Sequence, residues 1–269
     1  MRGASRASYA QLRDRLAAVA TGPRNSAEIG DQLFSVVRLL DSEHGLRRAL
    51  ADATKPADEK SAVVRRLLHG KVSTATEGLV ADAAAARWAS SGDFADALEQ
   101  LAIEALTAAA QHAGTLDDLE DDLFRFARLV SGQAGLRLAL IGATSPEAKA
   151  SLLSDLLSDK ISGPSLSLIT QVLTHPRGRS PQAALDLAAS IAARRREQLI
   201  AVVRVATELS AAQRQRLHRT LTEAYGQGIH VNIVHDPAVV GGLSVQVGDE
   251  LIDGTAATRL AEVRRRLAG

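Results

Sequence analysis

The sequence predicts a mainly α-helical protein made of two tandem six-helix domains, at 1–106 and 107–198, followed by a small α/β domain at 199–269. Three observations carry this expectation. Apolar residues recur at helical spacing through most of the chain. A stretch near the start is repeated ninety residues later: 33–56 aligns without a gap on 123–146, with twelve of 24 positions identical. Chance matching in an Ala/Leu-rich chain gives roughly two or three identities over such a window, so a duplication explains the pattern better. After Arg196 the period changes, and β-branched runs take over.

The first copy reads as six short amphipathic segments. Tyr9, Leu12, Leu16 and Val19 form one stripe. Ile29, Leu33, Val36, Val37 and Leu40 form a second, opened by the capping pair Asn25 and Glu28. A third segment runs from Gly45 to near Leu50, and Val63, Val64, Leu67 and Leu68 make the face of a fourth behind Pro56. Thr74 and Glu77 cap a fifth that turns Leu79, Val80, Ala83 and Ala84 inward, and a sixth spans Asp93 to Leu106. The second copy repeats the plan from about residue 100, with Leu119, Leu123, Phe126, Ala127 and Val130 behind Thr115 and Asp118. A late Ala-rich helix follows from Pro181 to Arg196. In the last domain, strands are expected at 198–206, 229–234 and 243–247. A helix opened by the Ser210–Gln213 capping box lies between the first two, and a terminal helix carries Leu260, Val263 and Leu267.

Composition narrows the function. The 269 residues hold 32 Lys+Arg against 31 Asp+Glu and no Cys. Thiolate metal sites, disulfides and a cysteine nucleophile are thereby excluded, and the near-zero net charge supplies no overall field for nucleic acid or an acidic membrane. No apolar run reaches a membrane span, and the charged start does not resemble a signal peptide, so a soluble, non-exported chain is expected.

Catalytic motifs are missing. The histidines form no His-Glu-x-x-His, and the five-residue spacing of His230 and His235 places them on opposite faces of a strand. The glycines from Gly241 to Gly254 lack the order of a phosphate loop and read as turns. Paired acid–base carboxylates are not assigned, because no isolated carboxylate with a partner is recognised in an apolar run. Arg194, Arg195, Arg196, Arg204, Arg214, Arg216 and Arg219, with Arg264, Arg265 and Arg266, form basic clusters. Interspersed glutamates and scarce aromatics favour solvated helix faces there, and a nucleic-acid-binding helical repeat using Arg194–Arg219 is the alternative reading.

The C-terminal end carries a more specific pattern: Val239-Val240-Gly241-Gly242-Leu243, then Val247-Gly248-Asp249, then Ile252-Asp253-Gly254-Thr255 and Arg259-Leu260. This resembles the signature of the ATP synthase delta subunit family, the oligomycin-sensitivity-conferring proteins, where a Gly-Gly strand, a Gly-Asp turn and Asp-Gly-Ser/Thr precede the terminal helix. Tyr9-Ala10 and Leu12 are similar to the family's first-helix pattern. The family plan has one six-helix domain, and the second copy here resembles the longer actinobacterial form. The resemblance implies a non-catalytic peripheral-stalk subunit without cofactor or metal, at the cytoplasmic face of the cell membrane and not inserted in it. It also implies two partners. The N-terminal helix of an alpha subunit would lie on Tyr9, Leu12 and Leu16 with Leu79, Val80 and Ala83, or on Leu166, Ile169 and Val172 of the second copy. The b subunit would meet the last domain through Gly241, Gly242, Leu260, Val263 and Leu267.

Overall fold

The computed structural model describes residues 3–253, except 143–144, 198, 208, 226–228, 237–238, 240–241 and 248–249. The chain divides into two compact units, Met1–Arg195 and Arg196–Gly269. The first is built from α1 (Ala4–Val19), α2 (Pro23–Ser42), α3 (His44–Ala51), α4 (Ala57–Leu68), α5 (Thr74–Ala85), α6 (Ser91–His112), α7 (Leu116–Gly132), α8 (Ala134–Ile141), α9 (Pro146–Leu157), α10 (Gly163–Thr174) and α11 (Pro181–Glu197).

The repeat seen in sequence is a repeat of helices. Shifted by ninety residues, α3 falls on α8 at both ends, and with the one-residue deletion α4 and α5 fall likewise on α9 and α10. The same shift carries α1 into the middle of α6. Thus α6 closes the first set of helices and also stands where the second set would begin. It does not stop near Leu106 as the sequence suggested, because no breaker intervenes before Gly114, which takes a left-handed φ of 72°. The expected boundary at 106/107 therefore falls inside a helix. Every residue from Leu101 to Ala110 is buried, as a helix packed on several sides requires. Residues of both copies, from Tyr9 to Ala192, share one apolar cluster.

Two contacts position α2 on this central helix and on the second copy. Gly30 lets α2 approach α6 so closely that a Cβ there would lie 2.8 Å from Leu106 and 3.1 Å from the Ala102 carbonyl. On the neighbouring side, Arg38 donates to the Gln171 side-chain oxygen of α10 (2.9 Å), and the Gln171 amide donates to Asp31 (3.2 Å). The start of α2 differs from the expected cap: Pro23 occupies the first turn after Gly22, and Asn25 instead accepts from the Thr21 backbone amide.

The second unit holds β1 (Leu199–Val205), α12 (Ala211–Tyr225), β2 (Ile229–His235), β3 (Leu243–Val247) and β4 (Glu250–Asp253), in the sheet order β2-β1-β3-β4. The β1–β2 pair is parallel, with α12 as its crossover, and the other two pairs are antiparallel. Val203, Val205, Leu221 and Val245 make its core. The Ser210–Gln213 box is formed reciprocally, at 2.8 and 3.3 Å. The four-residue β4 was not expected from sequence, being too short to show a period. The expected helix with Leu260, Val263 and Leu267 lies outside the described residues.

Candidate functional site

The side chains singled out as partner-binding on α1 and α5 point into the chain's own core. Tyr9, Leu12, Leu16, Leu79, Val80 and Ala83 are all buried and belong to one cluster. In α10, Ile169 and Val172 are buried and Leu166 is half-buried. The stripe that marks an amphipathic helix is the stripe that packs inward, and the residues implied by the family resemblance lie on it. In the second unit Gly242 is exposed with φ 92°, while Gly241, Leu260, Val263 and Leu267 lie outside the described residues.

Around Tyr9 the packing is polar as well as apolar. Its hydroxyl donates to the Glu104 carboxylate of α6 at 2.7 Å, and Arg13 pairs with the same group at 2.7 Å. Burial, then the Glu104 charge, raise the Tyr9 phenol far above its ordinary range, so it serves only as a neutral donor. Ser8 donates to the Arg87 carbonyl and Ser5 accepts from the Ala89 amide, tying α1 to the segment between α5 and α6. Trp88 in that segment donates to the Ala83 carbonyl.

A second buried carboxylate on α6, Glu99, gathers the arginines of the α10–α11 turn. Arg179 grips it with two parallel bonds of 2.6 and 2.7 Å, and Arg177 adds a third of 2.9 Å. Arg177 also reaches Asp41 at the end of α2 and Asp96 on α6, both at 2.7 Å. Its backbone is left-handed, with φ 51°, a conformation disfavoured without glycine. Glu99 and Glu104 are isolated carboxylates in an apolar run, which the sequence reading failed to recognise. Their neighbours there, Phe94 to Ala110, carried the signal. Each faces arginine at hydrogen-bond distance, an arrangement that holds helices together.

His175, just after α10, is kept below its ordinary range by burial and then by the Arg38 charge. The fold favours its neutral form, so its stabilising contribution is present above the unfolded value near 6.5 and lost as pH falls through the folded value. Thermal midpoints of the full chain should therefore fall from pH 7.5 to 5, and less steeply for His175→Asn. Parallel curves for the two proteins would exclude His175 as a source of that dependence.

No group of three or more His, Asp or Glu side chains suited to a metal occurs among the described residues. Several arginines of the basic clusters are bonded within their own unit. Arg194 is exposed and bonds the Ser190 carbonyl, Arg195 bonds Gln111 on α6, and Arg204 bonds Gln246 on β3. Arg216 and Arg219 are exposed on α12, and Arg264, Arg265 and Arg266 lie outside the described residues.

Similarity to known proteins is extensive. A family model described as "ATP synthase delta (OSCP) subunit" matches residues 103–267. The chain is 48% identical over 270 residues to the ATP synthase subunit delta of Thermobifida fusca, covering all of both chains. It is 44% identical to that of Streptomyces griseus, again over the full length of each. This chain belongs to the ATP synthase delta (OSCP) family. Its place is in the ATP synthase complex, as a subunit of the peripheral stalk. The family is one of structural stalk subunits, and among the described residues no helix is long and apolar enough to cross a membrane. These findings set aside the nucleic-acid reading of Arg194–Arg219. The family match opens within α6 and runs through the second helical set into the α/β unit.

Proposed function

We propose that this delta-family subunit ties the catalytic head of ATP synthase to its peripheral stalk by holding the N-terminal helix of an alpha subunit on its helical unit and the b subunit on its α/β unit, at the cytoplasmic face of the membrane. The observation that carries the proposal is full-length identity of 48% to a delta subunit. Physically, such a tether resists torque through broad contacts on stiff elements, and α6, buried and gripped through Glu99 and Glu104, is such an element. The chain's domain plan then becomes the family's helical domain and α/β domain, preceded by an additional helical copy that shares α6. The buried residues Tyr9, Leu12, Leu16, Leu79, Val80 and Ala83 set the spacing of α1 and α5. Ile169 and Val172 do the same for α10. Gly241, Gly242, Leu260, Val263 and Leu267 are assigned to the b contact.

Calorimetric titration of the full chain with a peptide from the N-terminus of its alpha subunit tests the first contact, and titration with the soluble part of b tests the second. Saturable binding of each, with both bound at once, is the expected result. A folded chain that releases no heat with the alpha peptide, and shows no shift in its melting temperature, would remove the alpha contact.

A further inference from the structure

The two helical copies offer an internal comparison of one surface in two surroundings. On α2, Asp31, Phe34, Arg38 and Asp41 follow one another at spacings of three and four residues, and so share a face. In the first copy the aromatic centre of that face is covered and its charged residues are bonded to the second copy, although Asp31 at its edge stays exposed. Asp31 and Arg38 bond Gln171 of α10, Asp41 bonds Arg177 just beyond it, and Phe34 between them is 4% exposed. Their counterparts on α7, ninety residues on, are Asp121, Phe124, Arg128 and Ser131, with three of the four residue types retained. All four are exposed, and Phe124 is 60% exposed.

The exposed face satisfies its charges locally. Asp121 pairs with Arg125 on its own helix at 3.3 Å, and the Arg128 guanidinium lies 5.8 Å from the centre of the Phe124 ring. Beside it a groove of about 430 Å³ opens between α7 and α11, lined by Phe124, Arg128, Gln182 and Asp186. Leu138 and Ile141 of α8 are also more than half exposed. An aromatic ring and a neighbouring arginine left in water are a common composition for a binding hot spot.

We infer that the α7 face of Asp121, Phe124, Arg128 and Ser131 is a docking surface for a helix of another subunit of the complex, one whose side chains resemble those of α10. The placement of that partner within the complex rests on the family assignment above. The occupant is an amphipathic helix with a hydroxyl or amide at positions four apart, as Ser167 and Gln171 are on α10, over an apolar patch that receives Phe124. A second copy of this chain fits poorly. Its element equivalent to α10 is α5, where Gly78 replaces Ser167 and Asp82 replaces Gln171; Asp82 is already paired with Arg15 and, unlike the amide, has no hydrogen to donate to Asp121.

The test uses the full chain and ATP synthase stripped of this subunit. Phe124→Glu should melt with the wild type, since the side chain is exposed, yet rebind the stripped enzyme at least about tenfold more weakly. Phe124→Leu should rebind within a few fold of the wild type. A photo-reactive phenylalanine at 124 should cross-link to a different subunit in the reassembled enzyme. Rebinding of Phe124→Glu equal to wild type, or a cross-link between two copies of this chain, overturns the inference while leaving the family reading intact. Failure of the wild type itself to rebind would overturn both.

Discussion

Replacing Glu99 by alanine is expected to destabilise the helical unit by about 3 kcal/mol, among the largest effects of any single change in this chain. The carboxylate is 3% exposed and receives three hydrogen bonds from Arg177 and Arg179. Removing one partner of a buried ion pair costs more than the pair contributes, because the other charge stays behind without its counter-charge. Arg177 keeps Asp41 and Asp96, but Arg179 loses both of its short bonds, keeps only the longer pairing with Asp96 at 3.7 Å and, being 25% exposed, recovers only part of its hydration. The strain at the left-handed Arg177 would then be held by fewer contacts, so the α10–α11 turn should exchange its amide hydrogens faster. Glu99→Gln keeps an acceptor oxygen and should lose about half as much. Denaturant midpoints at unchanged m-value measure these losses, and a double-mutant cycle with Arg179→Leu should give a coupling of about 2 kcal/mol. A coupling near zero would show that the arginine fork does not bind the two helical sets.

What the sequence revealed and what it hid have physical causes. Stripes such as Ile29, Leu33, Val37 and Leu40 identified helices because burial on one side imposes a period, and those residues are indeed core. The residues that the family resemblance marks for the alpha contact, Tyr9, Leu12 and Leu79 among them, lie on the same kind of stripe and are buried within the chain. The exposed counterpart of a covered face is found only by comparing copies: Phe124 against Phe34 carries information that neither residue carries alone. The repeat was legible, but the sharing of α6 was not. A helix packed on many sides has a weak period, and small or apolar residues stand on every side of 94–110, so the stretch gives no sign of serving two sets. The charged turn at Arg177 and Arg179 was hidden for another reason, since its partners lie about eighty residues or more away in the chain.

Gly30→Val should cost about 3 kcal/mol and Gly30→Ala clearly less, whereas at an exposed helix position both would stabilise relative to glycine, alanine by about 1 kcal/mol. A Cβ at this position would stand 2.8 Å from both Cγ and Cδ2 of Leu106 and 3.1 Å from the Ala102 carbonyl oxygen. Leu106 can yield by changing rotamer, whereas the carbonyl moves only if α6 moves. Alanine therefore combines a gain in helix propensity with a contact that Leu106 partly relieves, while valine adds a branch that cannot turn away from both atoms. At the matching position of α7 stands Glu120, whose long side chain excludes such an approach, so the close pairing belongs to α2 alone. Because Asp31, the next residue, bonds Gln171 on α10, lifting α2 from α6 would also disturb the seam between the two copies. The check is a double-mutant cycle with Leu106→Ala. Trimming Leu106 removes the crowding atoms, so Gly30→Ala should be less harmful in the Leu106→Ala background than in the wild type, by about 1 kcal/mol. If Gly30→Ala stabilised both backgrounds equally, α2 and α6 would not be in the close contact on which this packing depends.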